Sequence, residues 1–477
     1  MQSHSAMKIV TGKRSEDHDI AVLRGWRRIF LAAVFSVAGP VLFARADGIS
    51  TGITSPDDFC VTPGITTPCG DMPVDIPEFD ASFIYRFIAL QAQHPFDRFA
   101  WRAFMAVNWP LDQNHEVLPD GYRSPDDGRA RWRGFAPAED VVSPGIQADA
   151  ICGRTPGGDD LVLRQFHQVS GDVLVDQAGN YVLYQTRMNA AARNYIEENH
   201  LTTVAGRTAF AQSGHAIAFP VATSSPAGVT PGAMVLKFAW RVLPDGTNTT
   251  GFYIQPARIA VAAADALDGQ AACHDVTVGL VGLHIVQRVQ SGNGDRWIWA
   301  TFEHNDNVPL AANAREVNNI IPKNLFPDGC RIPASGGDQS YHFWGSESVA
   351  FGASFGRVAL WGPAPPFARD QAGNTMPPAG VVRCWRLFDG TLETNRHWQQ
   401  VLAGTVWQNY FLVGTQWVGN GGGEPFGVGK VPRFLSNTAL ESFIQDQPQG
   451  SCLGCHSAAQ SDAGQKSDFT FLLSPSR

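Results

Sequence analysis

The sequence predicts an α+β protein that is mainly antiparallel β, with a helical N-terminal portion and a helical segment at the C-terminus. Three observations carry that prediction. Gly 48 and Pro 31 among 477 residues spread turn-forming positions along the whole chain. From about Asp172 onward, apolar and polar residues alternate with a period of 2, in stretches rich in Val, Trp, Phe and Tyr. Before that point, FDRFAWRAFMAV sets Phe96, Phe99, Ala100, Ala103, Phe104 and Val107 at helical spacing, and Pro110 stops the run.

In chain order, residues 47–80 read as turn-rich and irregular, 96–107 as a helix, and 131–170 as loops and short pieces. Strands are expected at 173–175, 181–183, 235–243, 251–255, 276–289 and 296–303. The sequence QSGNGD (290–295) joins the last two as a hairpin. Glycine- and proline-rich loops are expected at 222–232, 362–380 and 419–432. Thr438-Ala439-Leu440-Glu441 reads as a capping box opening a short helix, with Leu440, Phe443 and Ile444 as its apolar stripe and Gly450 as its stop. The expected organisation is a secretory signal over 1–46, an irregular and helical region over 47–170, a β-rich domain over 171–432, and a segment over 433–477 packed on that domain.

Charged residues make up 17% and hydrophobic residues 44% of the chain, a globular composition that excludes a disordered or collagen-like chain. The net charge of −8 provides no basic footprint, so no nucleic-acid partner is expected. Near the N-terminus, Arg24, Arg27 and Arg28 precede the apolar run 29–43, followed by Ala44-Arg45-Ala46 ahead of Asp47. This order is that of an export signal cleaved between Ala46 and Asp47. The run is broken by Gly39-Pro40 and is short for a span of about 30 Å. Arg27-Arg28-Ile29-Phe30-Leu31 also resembles a twin-arginine signal, with Trp26 where Ser or Thr is usual. No later stretch has 18 consecutive apolar residues, so the expectation is a periplasmic protein that is not membrane-embedded. Of Cys 8, the six outside the motif described next are even in number, as disulfides in an oxidising compartment require. Cys60 and Cys69, flanking a Pro/Gly/Thr-rich loop, form the expected pair; Cys152, Cys273, Cys330 and Cys384 cannot be paired from sequence.

Ser451-Cys452-Leu453-Gly454-Cys455-His456 contains C-x-x-C-H, the attachment sequence for one covalent haem c. Two thiols separated by two residues reach the two haem vinyl groups, and the histidine that follows lies under the ring as the proximal iron ligand. A chain of this composition would hold roughly 0.004 such matches by chance, so the motif is not compositional noise. A redox dithiol would share the two cysteines; a zinc ribbon would need a second C-x-x-C, and the sequence has none.

Cys452 and Cys455 are thus the expected covalent attachment points and His456 the expected proximal ligand. Any distal ligand is expected from upstream. One candidate is Met376, in Gly373-Asn374-Thr375-Met376-Pro377-Pro378, which resembles the Met-Pro loops of small cytochromes c. The other is His304, at the end of a predicted strand. Both have an ordinary structural alternative, a surface loop for the methionine and a hydrogen-bonded residue for the histidine. A second group follows from strand register. If Val289 pairs with Arg296, His284 faces Thr301 and Glu303 lies diagonal to it. Lys237 and Arg241 share a face of the neighbouring strand. Lys237, Arg241, His284 and Glu303, beside Trp299, would then form a catalytic or propionate-binding group, against the alternative of a solvated face of salt bridges. Of Trp 13, those at 101, 109, 240, 297, 299, 407 and 417 lie in apolar contexts expected to be core, and one could pack against a porphyrin.

The segments FAWRAFMAVNWP (99–110), VLKFAWRVL (235–243), VGLVGLHIVQRV (278–289), RWIWATFEHNDNVP (296–309), NYFLVGTQW (409–417) and the region from Ser451 to Leu473 together resemble a family of exported bacterial monohaem cytochrome c-like proteins. The resemblance implies haem ligation by Cys452, Cys455 and His456 and no particular reaction. In layout the chain is also similar to the β-sheet cytochromes c′ and to cytochrome P-460, where C-x-x-C-H near the end of an antiparallel sheet is followed by an Asp-aromatic segment. Asp468-Phe469-Thr470-Phe471 is the counterpart here, and the present chain is much longer than those domains. The resulting expectation is a periplasmic c-type cytochrome that transfers electrons to or from a redox partner protein. The alternatives are a haem oxidoreductase with an open iron site and a small-molecule substrate, or a small-gas binder.

Overall fold

In a computed structural model, the chain is described over residues 68, 70–76, 89–125, 128–142, 148–153, 160–225, 228–291, 294–316, 330, 341–344, 359–419, 434–445 and 450–474. The alternating segments form antiparallel ladders: β1 (Val182–Met188), β2 (Met234–Leu243), β3 (Ile254–Val261), β4 (Ala272–Ser291), β5 (Gly294–His304) and β6 (Tyr410–Gly419). The order across the sheet is β6-β5-β4-β2-β1, ending on the two-residue strand Ala136–Pro137. Strand β3 pairs with the first part of β4, and Val162–Leu163 runs parallel to β3. The fold is thus mostly antiparallel β with a few helices.

Strand β4 organises the rest. Its pairing with β2 shifts between Leu280 and Gly282, a bulge that lets one edge of β4 serve two partners. Residues 272–279 pair with β3, and residues 282–291 pair with β5. At the bulge, Asn307 Nδ2 donates to the Val281 carbonyl at 2.8 Å, and the Tyr410 hydroxyl donates to the Leu280 carbonyl at 3.0 Å. The β4–β5 register is the expected one: Val289 faces Arg296 and His284 faces Thr301.

That register sorts side chains onto two faces. Ile298, Ala300 and Phe302, with Leu283, Ile285, Leu236 and Phe238, form an apolar face that carries the core. Helix α1 (Ala89–Asn108) covers it: Phe104 stacks on Phe302 at 4.3 Å, and Trp101 stacks on Trp398 at 5.6 Å. Trp398 belongs to α4 (Asp389–Val401), which follows two further helices, α2 (Ala190–Glu198) and α3 (Val204–Gln212). The Asp97 carboxylate ties α1 to α4 and β6, accepting hydrogen bonds from Gln93, Thr391 and Thr415. Burial outweighs those donors and pushes this carboxyl up to about 6.

The expected helix at 96–107 proves longer and runs through Pro95, because Gln93 in the preceding turn is itself buried and bonded to Thr415 on β6. Helices α2, α3 and α4 interrupt the region read as β. Two of them carry legible caps: Asn189 accepts from Ala192 N, and Thr203 from Gly206 N. Among the described residues the helix expected from the capping box does not form, and residues 438–443 make turns and a bend instead. Asn437, one residue earlier, takes over: its Oδ1 accepts from Ala439 N while its Nδ2 donates to Thr301 and Phe302 on β5. Tertiary partners therefore outcompete the local cap. Gly282 lets this segment approach, since a Cβ there would meet Asn437 Oδ1 at 3.0 Å and Ala439 Cβ at 3.2 Å.

The four cysteines left unpaired by sequence form Cys152–Cys273 and Cys330–Cys384 disulfides. Cys60, Cys69, the signal-like residues 1–46 and most of the loop at 419–432 lie outside the described residues. Among the described residues, no helix is long and apolar enough to cross a membrane. Replacing Cys152 and Cys273 by serine is expected to cost roughly 2–5 kcal/mol of folding stability. Their sequence separation is 121 against 54 for the other pair, so this loss should exceed that of the Cys330/Cys384 double variant by about 0.7 kcal/mol. Urea unfolding midpoints of the two double variants give the order, and a reversed order would contradict the loop-closure account.

Candidate functional site

The C-x-x-C-H sequence forms a single helical turn, α5 (Cys452–His456). Ser451 caps it, its Oγ accepting from Gly454 N at 3.1 Å. The turn is pinned to the sheet by Gln416 of β6, whose Oε1 accepts from Leu453 N at 3.0 Å while its amide contacts Ser451 Oγ. Gln416 faces Trp299 across the β5–β6 ladder, so α5 sits on the face opposite α1. Leu453 buries among Trp297, Trp299, Met188 and Leu473.

Cys452 and Cys455 are half-buried and lie outside the two disulfides. Burial, reinforced by the charge of Glu441 and by Cys455, drives the Cys452 thiol well above its usual range. A reactive redox dithiol needs the opposite shift, because the thiolate is the nucleophile. His456 donates from Nδ1 to the Phe469 carbonyl at 2.7 Å, and its Nε2 has no hydrogen-bond partner among the described residues. Burial holds this imidazole down to about 4, so it is neutral at neutral pH. Trp299 and Phe471 pack beside it, with ring centroids at 5.8 and 5.1 Å.

The strand-register group is partly assembled. Lys237 lies directly opposite His284, which lies opposite Thr301. His284 Nε2 meets both Glu441 oxygens, at 2.9 and 3.0 Å, and the Lys237 ammonium sits 5.8 Å from the centre of the Tyr184 ring. Burial alone would raise the Glu441 carboxyl, but the proximity of His284 and Lys237 outweighs it, and the net effect is downward. Arg241 and Glu303 turn to other partners. Arg241 donates to the fully buried Asp176 at 2.7 Å. Glu303, at 0% exposure, pairs with Arg383 and accepts from Thr438 N. The four residues therefore do not converge on one pocket; Lys237 and His284 meet, and Glu441 joins them. Glu441 escaped sequence reading because its spacing from Thr438 matched a helix cap.

Met376 and His304 are both engaged away from α5. Met376, 1% exposed, accepts from the Tyr181 hydroxyl at 3.3 Å within the main core. His304 donates from Nε2 to the Gly251 carbonyl at 3.0 Å and accepts at Nδ1 from Asp306 N at 3.2 Å. His304, Asp306 and His342 do offer ligand atoms within 4.8 Å of one another. However, Arg241 lies 3.5 Å from His342 Nδ1, and that guanidinium opposes a second cation. Sequence reading missed His342, Gln416 and Arg288, the last of which holds Asp468; a recognised β6 would have set Gln416 beside Trp299 by period 2.

Compared with known proteins, the chain matches no family model, no curated protein and no solved structure. The donor set at α5 fits a covalent haem: two unoxidised thiols, a neutral imidazole with its Nδ1 already satisfied, and flanking aromatic rings suited to a flat apolar ligand.

Replacing Glu441 by glutamine should destabilise the fold by roughly 1–3 kcal/mol at neutral pH, the range for removing a charged hydrogen-bond partner. The Glu441 carboxyl is depressed in the folded state, so its contribution is complete above the unfolded carboxylate value of about 4.3 and fades as pH falls through the folded one. Chemical denaturation at neutral pH and at pH ~3 should therefore show the gap between wild type and E441Q closing in acid. A gap that stays constant would exclude this linkage.

Proposed function

We propose that the chain is an exported monohaem c-type cytochrome that carries electrons, with haem attached through Cys452 and Cys455 and with His456 as the proximal ligand. The observation carrying this reading is the state of His456: Nδ1 is bound to a carbonyl and Nε2 is left as the lone pair, on a turn whose two thiols stay reduced while four other cysteines pair. Bound there, haem supplies an iron that cycles between two oxidation states. The chain's own part is positional. Ser451 and Gln416 hold the attachment turn, and Phe469 O fixes the tautomer and plane of the imidazole. Trp299 and Phe471 pack beside its ring. The disulfides and the signal-like N-terminus support a periplasmic location, with a redox protein as the partner.

A second reading, an open iron site serving a haem oxidoreductase or small-ligand binder, rests on a specific observation: both upstream ligand candidates are held by other partners. In that case the Lys237, His284 and Glu441 group supplies acid/base chemistry and charge for a small-molecule substrate.

Co-expression with haem-maturation machinery is expected to yield a protein that stains for haem on a denaturing gel, and C452A/C455A should abolish the stain. Absorption spectra of oxidised, reduced and CO-treated reduced samples then separate the two readings. A sharp low-spin reduced spectrum unmoved by CO supports the carrier, whereas a high-spin spectrum that shifts with CO supports the open site. Wild-type protein without covalent haem would overturn both.

A further inference from the structure

The residues that present a carbonyl to His456 are strained. Asp468 and Phe469 are consecutive, neither is glycine, and their φ angles are +51° and +63°. Left-handed conformation is costly for a non-glycine residue, and it persists only where the surroundings over-determine it. The surroundings do so here. The Asp468 carboxylate accepts from Phe219 N at 2.8 Å and from the Arg288 guanidinium. Arg288, 4% exposed in β4, is itself fixed from two further sides. It donates to the Phe219 carbonyl at 2.8 Å and to Asp295 at 2.7 Å. Just beyond, Thr470 N closes onto Ser467 O at 3.1 Å. The result of all these bonds is one contact, the 2.7 Å hydrogen bond from His456 Nδ1 to the Phe469 carbonyl.

We propose that Arg288 and Asp468 form a strut between the sheet and the 468–469 turn, whose role is to aim the Phe469 carbonyl at His456 and so set the orientation and electron donation of that imidazole. The proposal rests on the reading of His456 as an iron ligand. Partners of a ligating histidine's second nitrogen fix its tautomer and raise its basicity, and their loss typically costs ~10–100-fold in metal affinity or activity. A more basic imidazole favours the ferric state, so an intact strut holds the reduction potential down. Without the carboxylate anchor, the turn relaxes to negative φ and the carbonyl swings away from Nδ1. Arg288 and Asp468 act through Phe469 and His456, which makes them positioning residues.

Two measurements test this on the full chain. In protein made without haem maturation, nitrogen-15 NMR should show wild-type His456 as the Nδ1–H tautomer, and D468A and R288K should shift it toward a mixture. In haem-loaded protein, D468A and R288K should raise the midpoint potential. D468N keeps an acceptor and tolerates left-handed φ, so it should restore wild-type values. R288K keeps the charge and most of the bulk, and it covers the case in which D468A fails to fold. Folded R288K with the wild-type tautomer and potential would overturn the strut, as would a wild-type His456 protonated at Nε2. Protein that never acquires covalent haem, yet shows the Nδ1–H tautomer and its loss in R288K, would overturn the haem reading and leave the strut standing.

Discussion

The ladder between residues 282–291 and 294–303 is the constraint on which the rest depends. Side chains alternate with a period of 2, so a slip of one residue would exchange the faces of β5. Trp299, Thr301 and Glu303 would then point at α1, and Ile298, Ala300 and Phe302 at α5. Both layers need the observed parity. The apolar face buries against Trp101 and Phe104, and the mixed face meets the chain's last segments with matched polar groups. The bulge at 280–282 extends this control by letting one strand direct both β3 and β5.

The C-terminal segments are held on the mixed face mainly by polar contacts spanning a long sequence distance. Asn437 reaches Thr301, Thr438 reaches Glu303, Glu441 reaches His284, and Asp468 reaches Arg288. Each buries a group that would cost a few kcal/mol if left unpaired, which makes other placements of the segment unfavourable. Such pairs specify position more than they add stability. The C-x-x-C-H turn gains a defined setting from this arrangement, with Gln416 below it and Phe469 beside it.

Much of the architecture was legible. Period-2 runs and the QSGNGD turn led to the β4–β5 register, and helical spacing led to α1. Indole-rich stretches proved to be core, with Trp101, Trp240, Trp407 and Trp417 at most 1% exposed. The failures share one cause. Thr438 and Glu441 have the spacing of a helix cap, yet Glu303 and His284 offered them buried, charge-assisted partners that a local cap cannot match. Arg241 and Glu303 were grouped by strand parity alone, and each found an opposite charge outside strands β1–β6, in Asp176 and Arg383.

By itself the sequence determined the alternation of the strands and the pairing of the central hairpin, and it carries the C-x-x-C-H motif on which the haem proposal rests. All of these depend on spacing within a few residues, which linear order records directly. Only the tertiary structure decided the disulfide pairing, the engagement of Met376 and His304 elsewhere, and the joining of Glu441 to His284. It also decided the left-handed turn that brings the Phe469 carbonyl to His456. These depend on which buried groups find one another once water is excluded, and that competition is resolved between residues separated by 53 to 249 positions in the chain.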